Sequence, residues 1–82
     1  MKLFALLFLT AALLLATVDI NNASKSELRS LKGIGTKKAD AIIIYRKTHC
    51  FKDAQSLTEV KGIGVKTVAK NRSEIEVGDC NR

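Results

Sequence analysis

Apolar residues fall into three regimes along the chain. From Leu3 to Ala16 they run almost unbroken, with Thr10 the one polar interruption. Val18-Asp19-Ile20 and Ile75-Glu76-Val77 alternate apolar and polar, which predicts two short strands. Paired, they would bring the ends of the domain together. Between them the spacing is helical. Ser24 with Glu27 forms a capping-box pattern that opens a first helix over roughly 24–30, with Leu28 and Leu31 inward. Thr36 is the expected N-cap of a second helix, about 37–48, on which Ala39, Ile42, Ile43 and the stem of Arg46 share one side and Tyr45 packs at the edge. Thr48-His49-Cys50 ends that helix, and Phe51 reads as a core plug. Asp53 caps a short helix over 54–59, with Leu57 and Val60 inward. A last helix is expected over about 66–72. Asn21 and Asn22 suit a turn. The fold class is all-α, about five short helices with a tiny two-stranded pairing of the termini.

The pattern repeats. Residues 31–38, LKGIGTKK, recur at 60–67 as VKGIGVKT, an offset of 29. From Leu28 to Lys37, six of ten positions are identical in the second copy: Leu28/Leu57, Lys32/Lys61, Gly33/Gly62, Ile34/Ile63, Gly35/Gly64 and Lys37/Lys66. Two copies make a pseudo-symmetric pair and not a solenoid. In each, an apolar pair precedes Gly-Ile-Gly, and a lysine and a second helical run follow. Glycine admits positive φ and close approach of a partner to the backbone. The turn ends where a helix begins, so main-chain N–H groups point outward beside the positive end of a helix dipole. Such an end takes an anion, a phosphate included, without side-chain chemistry. Lys37 and Lys66 stand two residues after the second glycine, where each adds a full charge. Ile34 and Ile63 are expected to point inward and pin each turn to its helices.

Copy one, L-x-x-L-x-G-I-G-x-x-x-A-x-x-I-I, resembles the helix-hairpin-helix motif, a module that binds nucleic acid without reading its sequence. A single Gly-Ile-Gly would say little; two copies, each with its apolar pair and lysine, say much more. Two plain packing units that touch no ligand would produce the same apolar pattern.

Charge adds to this picture. The 82 residues hold 14 Lys and Arg against 8 Asp and Glu, a formal net charge of +6 and a pI near 9.6. That balance suits a polyanion or an acidic membrane surface. The opening stretch 1–16, one lysine at Lys2 and then an apolar run, is too short to span a bilayer, which takes about 20 residues. It fits the apolar region of a secretory signal, with cleavage expected after Ala16; an uncleaved anchor is the alternative. Without Lys2 the remaining chain keeps a net charge of +5. The domain is then expected over 17–77 and a loose tail over 78–82, unless Cys80 fastens it. Cys50 and Cys80 are an even count, which in an exported protein suggests one bridge. Two free thiols, or a bridge between chains, are the other readings.

From Val18 to Val77 the chain resembles the ComEA family of competence DNA receptors. The stretches that carry the likeness are VDINNAS at 18–24, L-x-x-LKGIG-x-KKA at 28–39, FK-x-A-x-SLTEVKGIGVKTV at 51–68 and KNRSEIEV at 70–77. The resemblance implies a tandem helix-hairpin-helix domain that binds double-stranded DNA and serves natural transformation, taking up DNA outside the inner membrane. A signal followed at once by the domain is similar to the periplasmic members; held by an uncleaved anchor, the domain would face the periplasm from the inner membrane. The implied partners are double-stranded DNA and the uptake machinery, an outer-membrane pore and an inner-membrane channel, with no small-molecule substrate. No cofactor is expected. Some members hold a monovalent cation in a hairpin through backbone carbonyls, and the sequence carries no mark of one.

The expected contacts follow from the two copies. Amides at Gly33, Ile34, Gly35, Thr36 and Lys37 face phosphates of one strand, and those at Gly62, Ile63, Gly64, Val65 and Lys66 the other, across a minor groove. Lys32, Lys37, Lys38, Lys61, Lys66 and Lys70 add charge, and Thr67 a hydroxyl. Thr36 and Val65 stand where the family often has proline, so those helices start without a fixed φ. Cys50 lies in a linker where glycine is frequent. Asn71 stands where an apolar residue is usual, which predicts a less well anchored last helix.

An enzyme is not expected. Asp40, Asp53, Glu59, Glu74, Glu76 and Asp79 are scattered among lysines, and His49 is the only histidine, a surface residue. The competing class is an exported protein-interaction or envelope module that uses its basic face on a partner and has no role in DNA uptake.

Overall fold

Ser24 opens the first helix of a computed structural model that describes residues 17–80; the leader expected over 1–16 and the last two residues lie outside them. Its hydroxyl accepts the Glu27 N–H at 3.2 Å, and the Glu27 carboxylate accepts the Ser24 N–H at 2.8 Å, so the capping box is complete. The helix, α1, runs Lys25–Arg29. After the first Gly-Ile-Gly comes α2, Thr36–Tyr45. A 3₁₀ helix, η1, follows over Ala54–Glu59. Asp53 caps it, its carboxylate accepting both the N–H and the hydroxyl of Ser56. The second Gly-Ile-Gly leads into α3, Val65–Asn71, which tightens into a 3₁₀ turn, η2, over Arg72–Glu74.

Strands β1, Val18–Asp19, and β2, Ile75–Glu76, pair in parallel, Val18 opposite Ile75 and Asp19 opposite Glu76. A parallel pair needs a long crossover between its strands, and here the whole helical body is that crossover. Asn21 completes the clasp. Its Nδ2 donates to the carbonyls of Phe51 and Gly78, at 3.0 and 2.8 Å, and its Oδ1 accepts the Phe51 N–H at 3.0 Å. Arg46 ties the opening segment to α2 by donating to the carbonyls of Ile20, at 3.1 Å, and Ala23, at 2.7 Å. Cys50 and Cys80 form a disulfide, with Cα atoms 5.8 Å apart. The tail up to Cys80 is therefore fastened; Asn22 also donates to the Asp79 carbonyl at 2.9 Å.

One core unites both copies. Leu28, Leu31, Ile34, Ala39 and Ile42 from the first meet Leu57, Val60, Ile63 and Val68 from the second, with Val18, Ile20, Ala23 and Phe51 closing the ends. Neither copy alone has enough apolar surface to bury, so the repeat folds as a pair.

Three expectations need correction. The N-cap of α2 is Gly35 and not Thr36, which is already helical. That start makes Ala39 N–H to Gly35 C=O the first helical bond and turns Ala39 and Ile42 fully inward. The same helix ends at Tyr45 and not at 48, because the chain tightens there: Lys47 and Thr48 donate to carbonyls three residues back. Asn71 does not loosen the last helix. It is buried to 1% exposure and hydrogen-bonded both across to Lys32 of the first copy and back to the Thr67 carbonyl within its own helix.

Candidate nucleic-acid interface

Each Gly-Ile-Gly is built the same way. Ile34 N–H donates to Leu31 C=O at 3.2 Å and Ile63 N–H to Val60 C=O at 3.0 Å, closing two four-residue turns. The third residue of each is glycine with positive φ, 79° at Gly33 and 95° at Gly62, as a type II turn requires. The isoleucine that follows is buried, and the next glycine, Gly35 or Gly64, is extended and exposed. Ile34 and Ile63 therefore hold the turns with both side chain and amide. The amides offered outward are those that follow them, from Gly35 to Lys37 and from Gly64 to Lys66. No side chain caps α2 or α3 at its start, so the first-turn N–H groups keep their open donors.

The two turns sit on each other's helices. A Cβ at Gly33 would lie 3.7 Å from Cγ2 of Thr67 on α3, and one at Gly62 would lie 3.7 Å from Cε of Lys38 on α2. Positions 38 and 67 are themselves matched by the 29-residue offset. The contacts thus exchange when the copies are exchanged, as a two-fold relation demands. Both turns flank one seam, and all four glycines are exposed. Lys38 spans the seam, with its stem over Gly62 and its ammonium 3.4 Å from the Gly33 carbonyl.

The remaining predicted site residues divide by what surrounds them. Lys32, Lys37, Lys61, Lys66 and Lys70 are exposed, as are Thr36 and Val65 at the two helix starts. Thr67 is half-buried in the seam. The Lys32 N–H is taken by Asn71 Oδ1 at 2.8 Å, so Lys32 offers the site its side chain and not its amide. Sequence reasoning did not assign Asn71 to this region. The signal was there: position 71 matches Ile42 in the other copy, and a polar residue at a repeated core position asks for a partner.

Asp19 and Asp53 are structural acceptors, and Asp40 pairs with Lys25 at 3.0 Å. Among the described residues, no group of His, Cys, Asp and Glu is placed to hold a metal ion. His49 is exposed and stacks on Tyr45, with ring centres 4.4 Å apart. No helix among the described residues is long and apolar enough to cross a membrane.

Comparison with known proteins matches this geometry. The family model described as helix-hairpin-helix motif matches residues 15–76. An uncharacterized protein of Haemophilus influenzae is 52% identical over 60 residues, which cover 71% of this chain and 54% of its own length. ComE operon protein 1 of Bacillus subtilis is 43% identical over 63 residues, 76% of this chain and 31% of its own. A kinesin-like protein of Oryza sativa subsp. japonica is 38% identical over 58 residues, 68% of this chain and 8% of its own. The chain thus spans about half the length of the first of these relatives, and less of the others.

Proposed function

Because the chain belongs to the helix-hairpin-helix family, we propose that it binds double-stranded DNA without reading base sequence, and that it does so in DNA uptake outside the inner membrane. The observation that carries the first part is the exchange of contacts at the seam, Gly33 on Thr67 and Gly62 on Lys38. It gives two matching sets of outward amides, one per copy, side by side. Each set holds phosphates of one strand across the minor groove. Lys37 and Lys66 add charge at the helix starts, Lys32, Lys61 and Lys70 around them, and Lys38 lies between. Phosphate contacts fix position and carry no base information. Binding that releases counterions from about six phosphates loses affinity with salt at a log–log slope of roughly −5.

The second part rests on the likeness to the ComEA family, the apolar leader at 1–16 and the disulfide, which suits an oxidising compartment. Proteins binding entering DNA in the periplasm hinder its return by mass action, so no energy source is needed in the protein. The pore and the channel of the uptake machinery are its neighbours in this reading. No residue is assigned to catalysis, because the interface offers donors and charge and no group that activates water.

The test is a titration of unrelated duplexes and single strands over a salt series. Equal affinity for all duplexes, weaker single-strand binding and a steep slope are expected. A slope near zero, or preference for single strands, would sink the DNA reading. Deleting the gene and following labelled DNA tests the uptake part: periplasmic accumulation at the normal level would count against it.

A further inference from the structure

Asn71 is the one buried polar residue beside an otherwise apolar core among the described residues. It stands at the end of α3, in the second copy, yet two of its three bonds go to the first. Its Oδ1 accepts the Lys32 N–H at 2.8 Å, and its Nδ2 donates to the Lys32 C=O at 2.8 Å. The second hydrogen of Nδ2 goes to the Thr67 carbonyl at 2.9 Å, within α3. Both donor hydrogens are used, so the buried amide is satisfied. Lys32 is the residue before Gly33, the second position of the first turn. One side chain therefore grips both main-chain groups of a turn residue, while Thr67 covers the glycine next to it.

The second turn has no such grip. The position that matches Asn71 is Ile42, buried and without a polar atom, and the residue that matches Lys32 is Lys61. Among the described residues, no side chain hydrogen-bonds to the Lys61 main chain. A hydrogen-bonded clamp on both sides of a turn residue removes the opening motions that would scatter the amides beyond it, and a preset site loses less order on binding.

We infer that Asn71 is a positioning residue for DNA: it presets the first hairpin, so the two half-sites are unequal, the first held ready and the second settling on contact. This rests on the DNA reading above.

The experiment combines amide hydrogen exchange in the free protein with duplex titration. In the wild type, the Lys32 amide exchanges at least about tenfold more slowly than that of Lys61. Equal exchange would overturn the inference, whether or not any variant folds. Asn71→Ile places in the second copy the side chain that the first already buries as Ile42. It is expected to speed exchange at Ile34 about tenfold, to leave Ile63 unchanged and to raise Kd about five- to tenfold with a shallower salt slope. Exchange rising alike in both hairpins, with Kd unchanged, would mean that Asn71 supports the fold alone and would overturn the positioning role. A wild type that fails to bind duplex would remove the DNA reading and this role with it, an outcome distinct from a variant that binds as well as the wild type.

Discussion

Thr67 closes over Gly33, its Cγ2 3.7 Å from where a Cβ of that glycine would stand, and Lys38 does the same to Gly62 at the same distance. The room is that of an ordinary van der Waals contact. What forbids a side chain there is the backbone, with φ of 79° and 95°. Gly33→Ala and Gly62→Ala are each expected to lower stability by about 1–2 kcal/mol through left-handed strain, with no clash to relieve. Chemical denaturation measures it; a loss near zero would mean that the turns relax at no cost.

The cap glycines behave differently. Gly35 has φ −93° and ψ −166°, extended backbone that any residue adopts, and nothing lies within 4 Å of a Cβ there. Serine at this position would supply the acceptor that α2 lacks at its start. Gly35→Ser is therefore expected to raise stability by a few tenths of a kcal/mol, roughly, while its hydroxyl competes with phosphate for the same amides. Thermal melting and duplex titration on one sample check the pair of signs. A variant that binds DNA more tightly would contradict the assignment of those amides.

The disulfide closes a separation of 30 residues between Cys50 and Cys80. In the chain-entropy model a loop of that size stabilises the fold by about 3–4 kcal/mol. For a domain this small, that is a large share of the stability available. Reduction, or Cys50→Ser with Cys80→Ser, is expected to lower Tm sharply. Duplex affinity at low temperature should hold wherever the protein stays folded, since neither cysteine lies in a hairpin. Melting with and without reductant measures the first, and titration the second.

Acid stability should depend on Asp19. Burial works to raise its pKa, but hydrogen bonds from the Asn22 side chain and from the Gly78 and Asn21 amides outweigh it and hold the carboxyl below its ordinary 3.8. A group with a lowered folded pKa contributes stability above its unfolded pKa and loses it as pH falls through the folded one. The window therefore opens near 3.8 and extends below it. Asp53 acts in the same direction, its carboxyl held down by hydrogen bonds from Ser56. Asp19→Asn is expected to flatten the fall of stability with acid. Urea midpoints through that pH range decide it, and an unchanged slope would place the acid sensitivity elsewhere.

The residues alone determined the repeat, and with it the two hairpins, the inward isoleucines, the capping box at Ser24 and the cap at Asp53. Each depends on neighbours within a few positions, where helical spacing and local hydrogen bonding leave one good solution. The start of α2 at Gly35 was less legible, because a threonine before a helix looks like a cap until the turn is seen to end one residue earlier. The direction of the β1–β2 pair, the closing of Thr67 on Gly33 and the grip of Asn71 on Lys32 were decided only by the tertiary structure. They join residues dozens of positions apart, and no periodicity encodes which buried polar group will meet which main chain. That meeting is set when two copies, each too small to bury its own apolar face, close on a single core.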